Sequence, residues 1–221
     1  MSVISCRASL LLLAALLLGN SDVSGRNLVT IARKKNAIVI DGKLDHDEWH
    51  GAAALYGFVD DINADGTFSS RQSMVFLTYD DDAIYLCVQV PLEAGRTLKS
   101  AATERDGAVW TDDDVEITLQ PGKGDFYRFL GNSTGVYLDG KNASNDWDGQ
   151  WNYKSTVTID AWTAELSMAF SELGVDGTPA DGDVWGFNVN HSWQDPARWT
   201  SWNRAEGSFN APDGFGEIRF G

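Results

Sequence analysis

Val109-Trp110-Thr111-Asp112-Asp113-Asp114-Val115-Glu116-Ile117-Thr118-Leu119 sets an aromatic ring and three acids directly before an alternating run. From Asp113 on, the pattern has period two. Val115, Ile117 and Leu119 fall on one face, and Asp114, Glu116 and Thr118 on the other. This predicts a strand with its apolar face on a core and its carboxylate face turned outward. Trp110 comes just before the strand, where a loop can hold a ring over that outward face. A flat ring beside a fixed carboxylate suits a ligand with an apolar face and hydroxyl edges, such as a sugar. A core tryptophan followed by a solvated acidic turn accounts for the same residues, and the stretch alone leaves both readings open.

Upstream, 74–79 and 84–90 alternate around the turn Asp80-Asp81-Asp82, which predicts a hairpin. Residues 29–33 and 37–40 read as short strands, with Asp41-Gly42 as a hairpin turn. Residues 44–54 predict one helical turn, capped by Asp45 or Asp47, with Trp49 packed inward. A long polar connection, 93–109, leads into the opening stretch. Downstream, Pro121 to Gly124 turns the chain into a strand at 126–130, and 132–135 turns it again. Asp139-Gly140 is a further turn signal, and 141–148 is a polar loop. Two more strands, 153–159 and 162–168, flank Asp160-Ala161; others follow at 184–190 and 216–220. Many short strands at close turn spacing predict an all-β fold: a two-sheet antiparallel β-sandwich, jelly-roll-like, in a single domain over 26–221.

Residues 1–25 have the form of a secretory signal peptide. Arg7 is the positive n-region, and 10–18 are an apolar run too short to be a stable membrane anchor. Its removal would leave about 195 residues, enough for one sizeable core. A secreted or periplasmic location is expected, and the domain is expected to stand alone behind its signal. The net charge of −15 argues against nucleic acid or an anionic membrane as partner. Cys87 is the only cysteine beyond the leader, so an internal disulfide is not expected and a buried strand thiol is.

Several chemistries can be weighed. A glycosidase needs two carboxyl groups flanking a bond, and acids are plentiful enough that a pair can always be nominated. No nucleophile elbow, phosphate loop or dinucleotide fingerprint is present. A haem-binding β-sandwich would use Met and His, but Met74 and Met168 lie in apolar strand patterns. His46 and His50 stand four apart without the Glu that a zinc-protease helix requires. Asp60, Asp61, Asn63 and Asp65 form an oxygen-rich loop that could hold calcium or simply be solvated. For sugar binding, Asn188 and Asn190 share a strand face and offer both donors and acceptors. Glu116 can accept two hydroxyl protons in charge-assisted bonds. Phe209, in a polar loop, is either a core plug or a second platform.

The order and spacing of several pieces resemble the family 9 carbohydrate-binding modules over nearly the whole chain beyond the leader. The pieces are Ile40-Asp41-Gly42-Lys43-Leu44-Asp45 with Trp49, Asp80 to Leu86, Trp110 to Ile117, Trp162-Thr163-Ala164-Glu165, Trp185-Gly186-Phe187-Asn188 and Phe215-Gly216-Glu217-Ile218. The resemblance implies a β-sandwich that binds sugars, in the best-known members at chain reducing ends between two Trp rings. Trp110 matches one ring and Glu116 the family's sugar-binding carboxylate. Asn190 falls where the family has a Gln, and Phe209 falls at the second ring. Glu206 stands near a family Asn. Arg128 lies two residues from the family's basic contact, a position held here by Leu130. The family also binds calcium structurally. The implied role is non-catalytic capture of a mono- or oligosaccharide or a polysaccharide chain end in polysaccharide catabolism, with a separately encoded polysaccharide-degrading enzyme as a possible partner.

Overall fold

Alternating side chains build thirteen strands among the described residues, which are 25–205 and 207–221 of a computed structural model. The expected leader lies outside the described residues apart from Gly25, and so does Glu206. The strands are β1 Leu28–Ile31, β2 Ala53–Leu55, β3 Val59–Asp61, β4 Met74–Tyr79, β5 Ala83–Pro91, β6 Asp114–Gln120, β7 Tyr127–Asn132, β8 Tyr137–Lys141, β9 Trp151–Val157, β10 Ala161–Ala169, β11 Val184–Gln194, β12 Ala197–Ser201 and β13 Gly216–Phe220. One sheet has eight strands in the order β1-β13-β11-β6-β7-β8, with β12 on the far half of β11 and β3 on β12. The other has five, in the order β2-β4-β5-β10-β9. Every pairing is antiparallel except β1 with β13. The fold is the predicted β-sandwich. No helix of the described residues is long and apolar enough to cross a membrane.

The core lies between the sheets. Val115, Ile117 and Leu119 of β6 join Phe129 and Val189 from the eight-stranded sheet. They meet Leu86, Val88 and Leu166 from the five-stranded sheet. All are within 1% of full burial, and each large side chain contributes about 1.5–3 kcal/mol relative to exposure. Met168 belongs to this core, and Cys87 is a buried free thiol.

Three local expectations are corrected. Residues 37–40 form no strand, and Asp41-Gly42 is not a hairpin turn. Instead the backbone N–H groups of Asp41 and Gly42 donate to a Glu165 carboxylate oxygen at 3.0 and 2.9 Å, while Trp49 Nε1 donates to the other at 2.8 Å. Gly42 serves close approach, since a Cβ there would lie 2.9 Å from the Ser155 backbone. The predicted capped turn does form behind it. Asp45 Oδ1 accepts from Asp47 N at 2.8 Å, and Trp49 is buried. Asp139-Gly140 is not a turn but the middle of β8, paired with Phe129 and Arg128.

Candidate functional site

The outer face of the eight-stranded sheet carries the opening stretch's polar side chains in three rows set by register. Asn190, Glu116, Leu130 and Leu138 make one row, from β11 to β8. Ser192, Asp114 and Asn132 flank it on one side, with Trp199 of β12 opposite Ser192. Asn188, Thr118, Arg128 and Gly140 flank it on the other. A side chain at Gly140 would press to 2.6 Å from Ser144 O and 3.0 Å from Arg128 Nη2. The glycine thus leaves room for the Arg128 guanidinium to reach Asn145 Oδ1.

Trp110 is held over this face by its neighbours. Val109 is fully buried and packs with Leu130 and Leu138 in a small cluster separate from the main core. Val109–Thr111 is a short 3-10 turn, so the next side chain points away from the peg, and Trp110 is 50% exposed. Asp112 accepts from Ala101 N, Ala102 N and Asn132 Nδ2 at 2.7, 3.0 and 2.9 Å. Asp113 accepts from Lys99 N and Gln194 N, both at 2.7 Å. These acids are therefore buried staples that lock the 99–102 segment to the strand ends. Neither the core-tryptophan reading nor the solvated acidic turn describes this geometry.

Between these parts lies a cleft of about 340 Å³. Its lining includes Trp110, Glu116, Arg128, Trp199, Phe209 and Asn145. The expected outward carboxylate face is covered: Glu116 is 6% exposed and Asp114 is buried. Loops that the strand pattern does not reveal close over it. Ile62 and Asn210 also line the cleft. Asp61 ties that side together, accepting from Ala205 N at 2.6 Å and from Ser201 Oγ.

Burial pushes the Glu116 carboxyl up to about 7, with Arg128 pulling in the opposite direction. Burial pushes Asp114 well above the usual carboxylate range, and Glu116 adds to this. Seven buried polar atoms on this face have no hydrogen-bond partner among the described residues: both carboxylate oxygens of Asp114, Glu116 Oε1, Thr118 Oγ1, Arg128 Nε and both amide atoms of Asn190. Such concentrations are rare unless water or a ligand completes them. His191, on the opposite face of β11, is a neutral core residue whose imidazole burial pushes down to about 3. Asn188 is fully buried and engages the Asn203 backbone through both its amide atoms.

Of the five expected site residues, Trp110, Glu116, Arg128 and Phe209 come together in the cleft. Asn190 is on the predicted face beside Glu116 but fully buried and not part of the lining. Phe209 lines the cleft and is 7% exposed. Trp199 was not expected; it is half-buried and enters through β12. For metals, both oxygens of Asp61 and Oδ1 of Asp65 accept from protein donors, while Asp60 Oδ1 is buried without a partner among the described residues. Among the described residues, Asp106, Asp139 and Asp148 form the group that could chelate an ion. Arg105 forms ion pairs with all three, including one of 3.1 Å to Asp139. Asp139 Oδ1 remains buried without a partner.

No protein-family model matches the sequence, and no curated protein matches it. Solved structures do. A candidate carbohydrate-binding protein from Bacteroides uniformis aligns with a TM-score of 0.71 at 18% identity, over 88% of this chain and 99% of that one. A family 9 carbohydrate-binding module from Caldicellulosiruptor kristjanssonii, in complex with cellotriose, aligns with a TM-score of 0.64 at 20% identity, over 88% and 93%. The same organism's family 9 module in complex with glucose gives 0.64 at 19%, over 87% and 95%. What is shared at this identity is the fold.

Proposed function

We propose that the protein binds carbohydrate without changing it chemically, in the cleft lined by Trp110, Glu116, Arg128, Trp199 and Phe209, and that it is a distant family 9-like module. The observation that carries this reading is a half-exposed indole standing in the same cleft as a buried carboxylate and a guanidinium. A sugar's apolar face stacks on the ring while its hydroxyls meet Glu116, Arg128 and Asn145. The glucose and cellotriose complexes of the family 9 modules that share this fold support the same ligand class. A hydrolase would need a second carboxyl group across the bond. Glu116 is the one carboxyl lining the cleft among the described residues. A haem reading finds little support, since Met168 fills the core and Met74 is exposed on β4.

Titration calorimetry with glucose, cellobiose, xylobiose and cellotriose tests the reading. The expected Kd lies between about 1 μM and about 1 mM, because few direct bonds form and each replaces one to water. Trp110→Ala should weaken binding at least about tenfold. Silence of the wild type across this panel removes the proposal, and release of new reducing ends by purified protein replaces it with a glycosidase. Export through residues 1–25, a secreted or periplasmic location and cooperation with a separately encoded polysaccharide-degrading enzyme belong to the same proposal. Mass spectrometry of the protein from its source should find an N-terminus near residue 26.

We propose further that Asp106, Asp139 and Asp148 hold a structural calcium ion. Their oxygens are the hard donors it prefers, and Arg105 must swing aside to admit it. Calcium should raise the melting temperature of the wild type and leave Asp139→Asn unmoved. An unchanged wild-type melt with calcium or chelator rules the assignment out.

A further inference from the structure

A second cleft, of about 280 Å³, lies at the end of the sandwich beside β11. Its lining includes Arg71, Arg96, Trp193, Glu93, Ser70 and Gln72. Trp193 and Ser192 are neighbours on one strand, so their side chains leave it on opposite faces and serve different clefts. The guanidinium carbons of Arg71 and Arg96 lie 4.9 and 4.7 Å from the centroid of the Trp193 ring. Both side chains are mostly buried. Two like charges gathered on one ring repel, and the ring face offsets this only in part. In a chain of net charge −15, such a pair demands a reason.

The counter-charges are unequal. Arg96 faces Asp113 at 3.4 Å, and Asp113 is locked by the backbone N–H groups of Lys99 and Gln194. Among the described residues Arg71 has only Glu93, whose carboxylate lies 3.6 Å from Nε and whose side chain is 73% exposed. Arg198 is turned to Asp60 and Ser70 and adds no net charge. Without Glu93 the cleft carries one net positive charge. Three donors of its lining residues, Arg71 Nη1, Arg96 Nε and Trp193 Nε1, are buried without a partner among the described residues. An exposed carboxylate at the rim, one uncompensated charge behind it and three unused donors describe a site built for a single carboxylate.

We propose that this cleft is a second binding site, for a small molecule carrying one carboxylate group, such as an acidic monosaccharide. The ligand displaces Glu93 from Arg71 and takes up the forked N–H groups of the arginine. Ser70 and Gln72 are placed to meet neutral polar groups of the same molecule. A monoanion balances the charge, whereas a phosphate dianion would overshoot it by one. The inference stands independently of sugar binding at Trp110.

Calorimetric titration of the full chain with sodium D-glucuronate tests it, with D-glucose and inorganic phosphate as parallel probes. Glucuronate should still bind the Trp110→Ala variant. Arg71→Gln should weaken it at least tenfold, Glu93→Gln should strengthen it severalfold, and added sodium chloride should weaken it. Loss of glucuronate binding in Trp110→Ala places the ligand in the first cleft and overturns the proposal. So does equal binding of glucose in that variant, tighter binding of phosphate than of glucuronate, or no response to Glu93→Gln. A protein silent to glucuronate also overturns it, whatever the neutral sugars do at the first cleft.

Discussion

An ionised Glu116 is costly where it sits. Its carboxyl, ordinarily half-ionised near 4.5, is carried up to about 7 by burial. The proton is therefore held more tightly in the folded chain than in the unfolded one. The stability this confers is complete below about pH 4.5 and is lost as pH rises through about 7, a swing on the order of 3 kcal/mol. Glutamine keeps the shape and avoids the ionisation. Glu116→Gln should thus raise the melting temperature by several degrees at pH 8, at about 2–4 °C per kcal/mol, and change it little at pH 5. Thermal melts of the two proteins at both pH values check this. At pH 8 the same variant should bind sugar about 10- to 100-fold more weakly, because a charge-assisted acceptor has gone. A carboxylate retained at such a cost is better explained by a ligand than by folding. Equal melts at pH 8 would remove that argument.

At the scale of single elements, β8 shows how a strand is shaped by what crosses it. Gly140→Ala would force a methyl against the Ser144 carbonyl and the Arg128 guanidinium, costing about 1–3 kcal/mol. Denaturant titration should show that loss, and calorimetry should show weaker sugar binding as Arg128 is displaced. Asp139-Gly140 reads locally as a turn because a glycine needed for a bend and one needed for a close crossing look alike. The β4–β5 hairpin and β13 were legible, since alternation and turn residues mark them without outside help. The strands β2 and β3, three residues each, are too short to show a period. β12 brings Trp199 to the cleft only because β11 runs on past Asn190 to Gln194, and nothing in its own five residues announces that pairing. The face of Asn190 was legible from period two. Its burial was not, because segments distant in sequence cover that face.

Over the whole molecule, buried acids outweigh paired ones in the response to pH. Burial raises the carboxyl groups of Asp114, Glu116, Asp139 and Glu165. Each favours the folded state most when protonated, so their combined contribution falls as pH increases through their folded values. Asp65 is lowered by its hydrogen bonds with Thr67, and Asp125 by those from Lys141 and Asn142. Their contribution is present above the unfolded value near 3.8 and is lost in stronger acid. His191, pushed down to about 3, opposes the raised carboxyls in acid: the stability of its neutral form is full above the unfolded value near 6.5 and is lost as pH falls. Melting temperature should therefore decline from about pH 6.5 to pH 8, where the raised carboxyls dominate; a rise over that interval would contradict the burial of these groups. The distribution of indoles has an optical consequence at the same scale. Six of the nine tryptophans are buried, Trp147 and Trp199 are half-buried, and Trp110 alone is exposed. The red edge of the emission spectrum, and most of its quenching by acrylamide, should therefore come from Trp110. A ligand that stacks on that ring should shield it from the quencher, so the protein carries a built-in fluorescent reporter of its own occupancy.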